Sequence, residues 1–318
     1  MAALHRPTRR RAARLPRHPG VRRQCGHRHS SGKGDRSRLY KTTDGCQTWK
    51  LVFTNPDKDG FWDALAFDGY ERGFVLGDPV AGRFALFFTL DRGKNWGRAI
   101  SAGLAAPNPK SGAFAASNSA LTLGYEGMPL FGTSGPEGAW LYLPDWQCTM
   151  LTEQEHPAAC FDGFLRFDKV KVPIAGSSPS AGVFSIAIRP AHESEVASEL
   201  IAVGGDYRTP ETHGGAAVLE TPWSVQPEIA AAQTPTHGYR SAVAHDSSAE
   251  TWISVGPNGT DISTDDGRNW RAVHPNPALH EAPDADRSWN ALSLPFVVGP
   301  KGRIGELDAP ALSPAPAR

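Results

Sequence analysis

The strongest constraint on this chain is an eight-residue phrase that it writes more than once. Ser263-Thr264-Asp265-Asp266-Gly267-Arg268-Asn269-Trp270 has the form S/T-x-D-x-G-x-x-W, and Thr89–Trp96 matches it fully. Thr42–Trp49 matches except that Cys46 stands at the glycine, while Leu143–Met150 keeps only Asp145. Trp49 and Trp96 lie 47 residues apart, and so do Trp223 and Trp270, so Leu219–Trp223 reads as an eroded copy of the same feature. Fixed spacing of this size marks a chain built from stacked or radial repeats.

The surroundings repeat as well. Units open on an aromatic and a short apolar alternation, as in Trp62–Phe67, Phe114–Ala116, Phe184–Ile188, Tyr239–Val243 and Trp289–Leu292. A second apolar run ends in glycine (Phe74–Gly77, Leu130–Gly132, Ile201–Gly204, Ile253–Gly256, Phe296–Gly299), and a third follows a glycine turn, as in Gly82–Phe87. The D-x-G turn then leads into a fourth. Four short strands per repeat, with turn signals every 8–12 residues, predict an all-β chain, a β-propeller of four-stranded blades. Helical periodicity is confined to Ala191–Leu200.

The turn itself reads as structural. Its glycine supplies a positive φ at no steric cost, and its aspartate can accept backbone N–H groups. Its tryptophan folds over the hairpin, a burial that contributes roughly 1.5–3 kcal/mol. An active site is made once, so recurrence assigns Asp44, Trp49, Asp91, Gly93, Trp96, Asp265, Gly267 and Trp270 to the scaffold. Cys46 weakens its copy if that position has φ > 0.

Charge divides the chain in two. Lys plus Arg and Asp plus Glu each number 33, yet residues 1–40 hold twelve bases and one acid, Asp35, for +11, leaving −11 on residues 41–318. An acidic body does not recognise nucleic acid through phosphates. No window reaches the roughly 18 apolar residues a membrane span needs. Residues 1–30 lack aromatics and read as a disordered basic head. They hold no apolar core of a secretory signal, and Pro7, Pro16 and Pro19 interrupt any amphipathic helix.

Repeat grammar is expected over 31–307, with 308–318 a disordered tail. Four blades are nearly whole (61–100, 112–151, 183–225 and 239–273). Residues 289–307 lack a fourth strand, and Lys50–Phe53 is a fourth strand without its first three. Pairing these closes a ring of about five blades; the alternative is an open arc with an exposed edge. The missing strands before Lys41 suggest an N-terminal truncation, by a frameshift or mis-assigned start.

The D-x-G-x-x-W phrase resembles the Asp-box (BNR-like) repeat of sialidases, sortilin-type receptors and photosystem II assembly/stability factors. The sialidase resemblance ends at the turns, since only Ile188-Arg189-Pro190 echoes that family's arginine segment. Leu39–Asp44, Phe74–Pro79, Val203–Tyr207 and Val298–Ile304 make the body similar to photosystem II assembly-factor-like bacterial repeat proteins. That resemblance implies an exported, non-enzymatic binding or assembly scaffold for a protein partner. The competing function is a sialidase-like or other glycoside hydrolase with a glycan on the same face.

In a four-stranded meander the second-to-third-strand turns lie opposite the D-x-G turns. Loops on a rigid scaffold carry function, so Asp78, Asp206, Tyr207, Arg208, Asn258 and Lys301 are the binding-face candidates. The plainer reading makes Asp78 and Asp206 ordinary turn residues. A long connection over 151–182 is expected to overhang this face. Cys148 and Cys160 flank its start; in an exported protein a disulfide there is worth on the order of 3 kcal/mol, and two buried thiols are the alternative. His213 and His237 sit in Gly/Pro/Thr loops and read as solvent-exposed. No metal-ligand spacing, nucleotide loop or nucleophile elbow occurs, so no catalytic residue, metal or cofactor is assigned.

Overall fold

The computed structural model describes residues 25–68, 71–124, 127–145, 164–174, 176–189, 199–219 and 227–307. The described chain is all-β, a six-bladed β-propeller in which each blade is an antiparallel meander. The first blade holds β1 (Gly26–Ser30), β2 (Arg38–Thr42) and β3 (Lys50–Thr54), and the second β4 (Trp62–Asp68), β5 (Arg72–Val80), β6 (Arg83–Thr89) and β7 (Gly97–Arg98). The third is built from β9 (Leu121–Leu123), β10 (Pro129–Thr133), β11 (Ala139–Pro144) and β12 (Phe164–Val172). The linker strand β8 (Ile100–Ala102) runs parallel to β12 on its outer edge.

β13 (Ala181–Ile188), β14 (Leu200–Asp206), β15 (Ala216–Leu219) and β16 (Ile229–Ala231) form the fourth blade. The fifth holds β17 (Ala242–Asp246), β18 (Thr251–Gly256), β19 (Gly259–Ser263) and β20 (Arg271–Val273). Among the described residues the sixth holds three strands, β21 (Ala291–Ser293), β22 (Phe296–Val298) and β23 (Ile304–Glu306). Among the described residues no helix is long and apolar enough to cross a membrane.

Middle strands are apolar on both sides because a blade is covered on both faces. Thus β10, β18 and β19 are buried along their whole length. Packing is concentrated in five seams. Leu39 meets Trp62 and Val75 between the first two blades. Phe74 and Leu86 meet Phe131 and Tyr142 in the next seam. Leu130 and Leu141 then meet Val183 and Ile186, Val203 meets Val243 and Trp252, and Ile253 and Val255 meet Trp289 and Val297. No such cluster among the described residues joins the sixth blade to the first.

Several expectations change. There are six blades, not five, because Lys50–Thr54 pairs with the adjacent β2 and never with residues 289–307. The strand β1 falls inside the segment assigned to the disordered head; its ladder to β2 draws Gly26–Ser30 into the first blade. Phe114 is in a loop, and the third blade opens at Leu121 instead. Part of the supposed 151–182 overhang is instead the nine-residue strand β12, the fourth strand of that blade. Residues 1–24, Cys148, Cys160, most of 191–200, Trp223 and the 308–318 tail lie outside the described residues.

Candidate binding face

The two ends of the blades are held by different means. At the end carrying the D-x-G turns, one hydrogen-bond network appears three times. Thr42, Thr89 and Ser263 each donate a hydroxyl to the turn aspartate, at 2.8, 2.9 and 2.8 Å. Each hydroxyl also accepts the backbone N–H at the glycine position, from Cys46, Gly93 and Gly267 at 3.1, 3.0 and 3.0 Å. The aspartate in turn accepts the N–H of the residue before the tryptophan, Thr48, Asn95 or Asn269. Those three side chains donate to the same carboxylate. This last contact gives a role to a position that the sequence phrase leaves open.

The networks set the carboxyls low. Hydrogen bonds from the Thr48 hydroxyl and N–H, then Thr42, hold Asp44 at about 2. Slight burial opposes this at Asp91, but the Asn95 and Thr89 bonds still bring it to about 2. Gly93 and Gly267 have φ of 70° and 75°, and Cys46 is forced to 70°. Two of these three tryptophans reach the seam with the preceding blade. Trp270 packs with Val203 and Ala216, and Trp96 lies on Phe53 at 6.2 Å. Trp49 is in the first blade and meets the Arg28 guanidinium at 4.3 Å instead.

The opposite end has loops that do not repeat. After β14, Asp206 accepts the Arg208 N–H at 2.9 Å and the Ser178 hydroxyl at 2.8 Å, which fixes the turn. Tyr207 is held half-exposed, at 48%. Its ring stands edge-on to Phe114 and Phe184, at 6.4 and 6.1 Å, and those two stack at 3.5 Å. Tyr239 lies edge-on to Phe184 at 4.7 Å. Burial, then the Tyr207 phenol, pushes the Tyr239 hydroxyl well up.

Asn258 ties this loop to the fifth blade. Its amide donates to the Pro210 and His237 carbonyls, at 3.0 and 2.7 Å, and to Glu211 at 3.3 Å. Its oxygen accepts from the Arg240 guanidinium. Arg240 is wholly buried and pairs with Asp261, itself wholly buried. Asp261 also binds His237 Nδ1 at 2.6 Å, while the His237 side chain remains 52% exposed. The His213 ring centre stands 6.1 Å from that of His237. Both histidines are therefore exposed, as expected, but His237 is pinned by a buried carboxylate.

Arg240 and Asp261 escaped sequence reasoning, though a signal existed. The residue after the aromatic that opens a repeat is polar in Asp63, Ser185 and Arg240, and all three are buried. A charge inside an apolar alternation needs a partner.

Of the six candidates, Asp206, Tyr207, Arg208 and Asn258 come together across the seam between the fourth and fifth blades. Asp78 and Lys301 stand apart. Lys301 is exposed in a turn of the sixth blade. Asp78 is on β5 and accepts the Ala113 N–H at 3.0 Å. Burial raises its carboxyl. Burial, then Asp78, raises the 2%-exposed Asp63 well above the usual carboxylate range. Two cavities, of about 350 Å³ beside β6 and β8 and about 280 Å³ between the last two blades, are lined by other residues than Asp206, Tyr207, Arg208 and Asn258. Among the described residues no three metal-type side chains converge.

No protein-family profile and no curated protein matches the chain. It is similar to solved propeller structures at low identity. A YCF48 bound to a D1 peptide is 14% identical, over 79% of this chain and 63% of that one, with a TM-score of 0.39. The GH74 xyloglucanase from Xanthomonas campestris is 16% identical, over 76% of this chain and 39% of the enzyme, at 0.27. The GH43 endo-arabinanase from Bacillus licheniformis is 10% identical, over 78% and 89%, at 0.33. The chain thus spans less than two thirds of the first two.

Proposed function

We propose that this protein is an exported Asp-box propeller that acts as a non-enzymatic scaffold and binds a protein partner on its loop face. The carrying observation is Tyr207, a half-exposed aromatic fixed on a bed of Phe114, Phe184 and Tyr239. Aromatic anchors with a locked conformation and a polar surround contribute disproportionately to protein association, because little ordering entropy remains to be lost. Asp206 and Arg208 supply the polar surround, and Asn258 braces the loop from the next blade. Immobilised protein offered to periplasmic or membrane extract is expected to retain a partner that Tyr207→Ala loses. Equal retention by both forms removes this reading.

A glycoside hydrolase is the second reading, and the Asp63–Asp78 pair is the observation that favours it. A carboxyl raised by burial and by a like charge suits a general acid. Asp63 is nevertheless sealed from solvent, so it cannot reach a glycosidic oxygen as it stands. Assay against xyloglucan and arabinan, with Asp78→Asn as control, decides the matter. Turnover by the wild type that the variant loses puts the hydrolase first.

A further inference from the structure

We propose that the open seam between the sixth and first blades is an assembly surface, covered by a second copy of this chain packed head to tail. Five of the six seams that a six-bladed arrangement offers are filled by apolar clusters. The remaining one is built to be filled. On the sixth blade Phe296, Val298 and Ile304 share one face, since Val298 pairs with Ile304 and alternates with the buried Val297. They are 51%, 42% and 72% exposed.

On the first blade Arg28 pairs with Tyr40 and Tyr40 with Leu51, placing them on the face opposite the buried Leu39. Leu51 is 46% exposed, so four of the seven large apolar side chains exposed among the described residues lie on these two end faces. Soluble proteins rarely leave such a patch unpaired.

The occupant follows from continuity and charge. Every filled seam joins the face of one blade to the face of the next, so what fits the sixth blade is another blade face. The first blade supplies Arg28, and the sixth supplies Glu306 opposite Phe296 in the ladder. Neither has an ion-pair partner among the described residues. Among the described residues both faces are exposed and no apolar cluster joins them, so the complementary face comes from another copy. The contact is heterologous, with different patches on the two partners, and continues into longer assemblies unless it closes.

Sedimentation of the full chain over a concentration series tests this. The wild type is expected to run as a dimer or larger, with the fraction rising with concentration. Ile304→Glu and, separately, Leu51→Glu should each weaken association about ten-fold, as loss of a central apolar contact does. These side chains are exposed in the single chain, so folding is preserved, and Leu90→Glu on the second blade should leave association unchanged. A wild type that stays monomeric throughout overturns the proposal. So does a Leu51→Cys/Ile304→Cys double variant that oxidises to a cross-linked product of monomer mass, because the chain then closes on itself.

Discussion

The D-x-G turn end and the loop end of the blades solve the same problem, holding irregular backbone still, in opposite ways. At the turn end each network is complete within eight residues and is repeated three times with the same donors and acceptors. At the loop end Arg240, Asp261, His237 and Asn258 form one network, used once, whose members come from separate strands and loops. Repetition belongs to the scaffold; what happens once is available for specificity. The two ends should therefore fail differently when cut.

The largest expected effect is at the loop end. Asp261→Ala strands the buried Arg240 charge and should cost about 3–5 kcal/mol in urea unfolding. Arg240→Met combined with Asp261→Leu should recover most of that loss; if the double variant is as unstable as the single one, the pair does more than satisfy itself. Next comes Trp270→Ala, expected to cost about 3 kcal/mol because the ring fills the seam between the fourth and fifth blades. Trp49→Ala should cost clearly less, since among the described residues Trp49 is half-buried and belongs to none of the five apolar seams. Equal losses for the two tryptophans would break the account of the seams.

Cutting one turn network is a smaller change. Asp265→Ala should lower stability by about 1 kcal/mol, because its acceptor sites are lost but the turn can reach water. Cys46→Gly should raise stability by about 1 kcal/mol, by relieving a side chain held at φ 70°. Thermal unfolding measures both.

The ends also differ in acid. Asp44 and Asp91 titrate lower in the folded chain than the usual unfolded value of about 4, so their contribution is present above that value and is lost as pH falls through about 2. Asp63 and Asp78 have the opposite sign. Their folded values are raised, so their contribution is complete below about pH 4 and drains away as pH rises through the raised values. Asp63→Asn should melt above the wild type at neutral pH and level with it near pH 4. A constant difference across that range contradicts the burial of its charge.

The legibility of the chain followed the length of its contacts. The S/T-x-D-x-G-x-x-W turns could be read, down to the positive φ at Gly93, Gly267 and Cys46, because every bond lies inside the phrase. Blade grammar was legible for the second, fourth and fifth blades, whose strands follow one another closely. It misled at Phe114, which looks like the start of a strand but stacks on Phe184 from a loop. It misled again at β1, where His, Arg and Ser carry no apolar signal and pairing with β2 alone makes the strand. The loop face was half visible. Asp206, Tyr207, Arg208 and Asn258 were found as turn residues, whereas nothing local reveals that His237 and Asp261, 24 residues apart in sequence, share a hydrogen bond.

By itself the amino-acid sequence determined that this chain is a β-propeller. Turn chemistry and period-2 apolar runs are local, and they recur often enough to overrule the +11 head and the neutral average. Tertiary structure alone decided the number of blades, the open seam and the company each candidate residue keeps. Those depend on which strand edges and faces meet across the fold, and no residue's own neighbours in the chain carry that information.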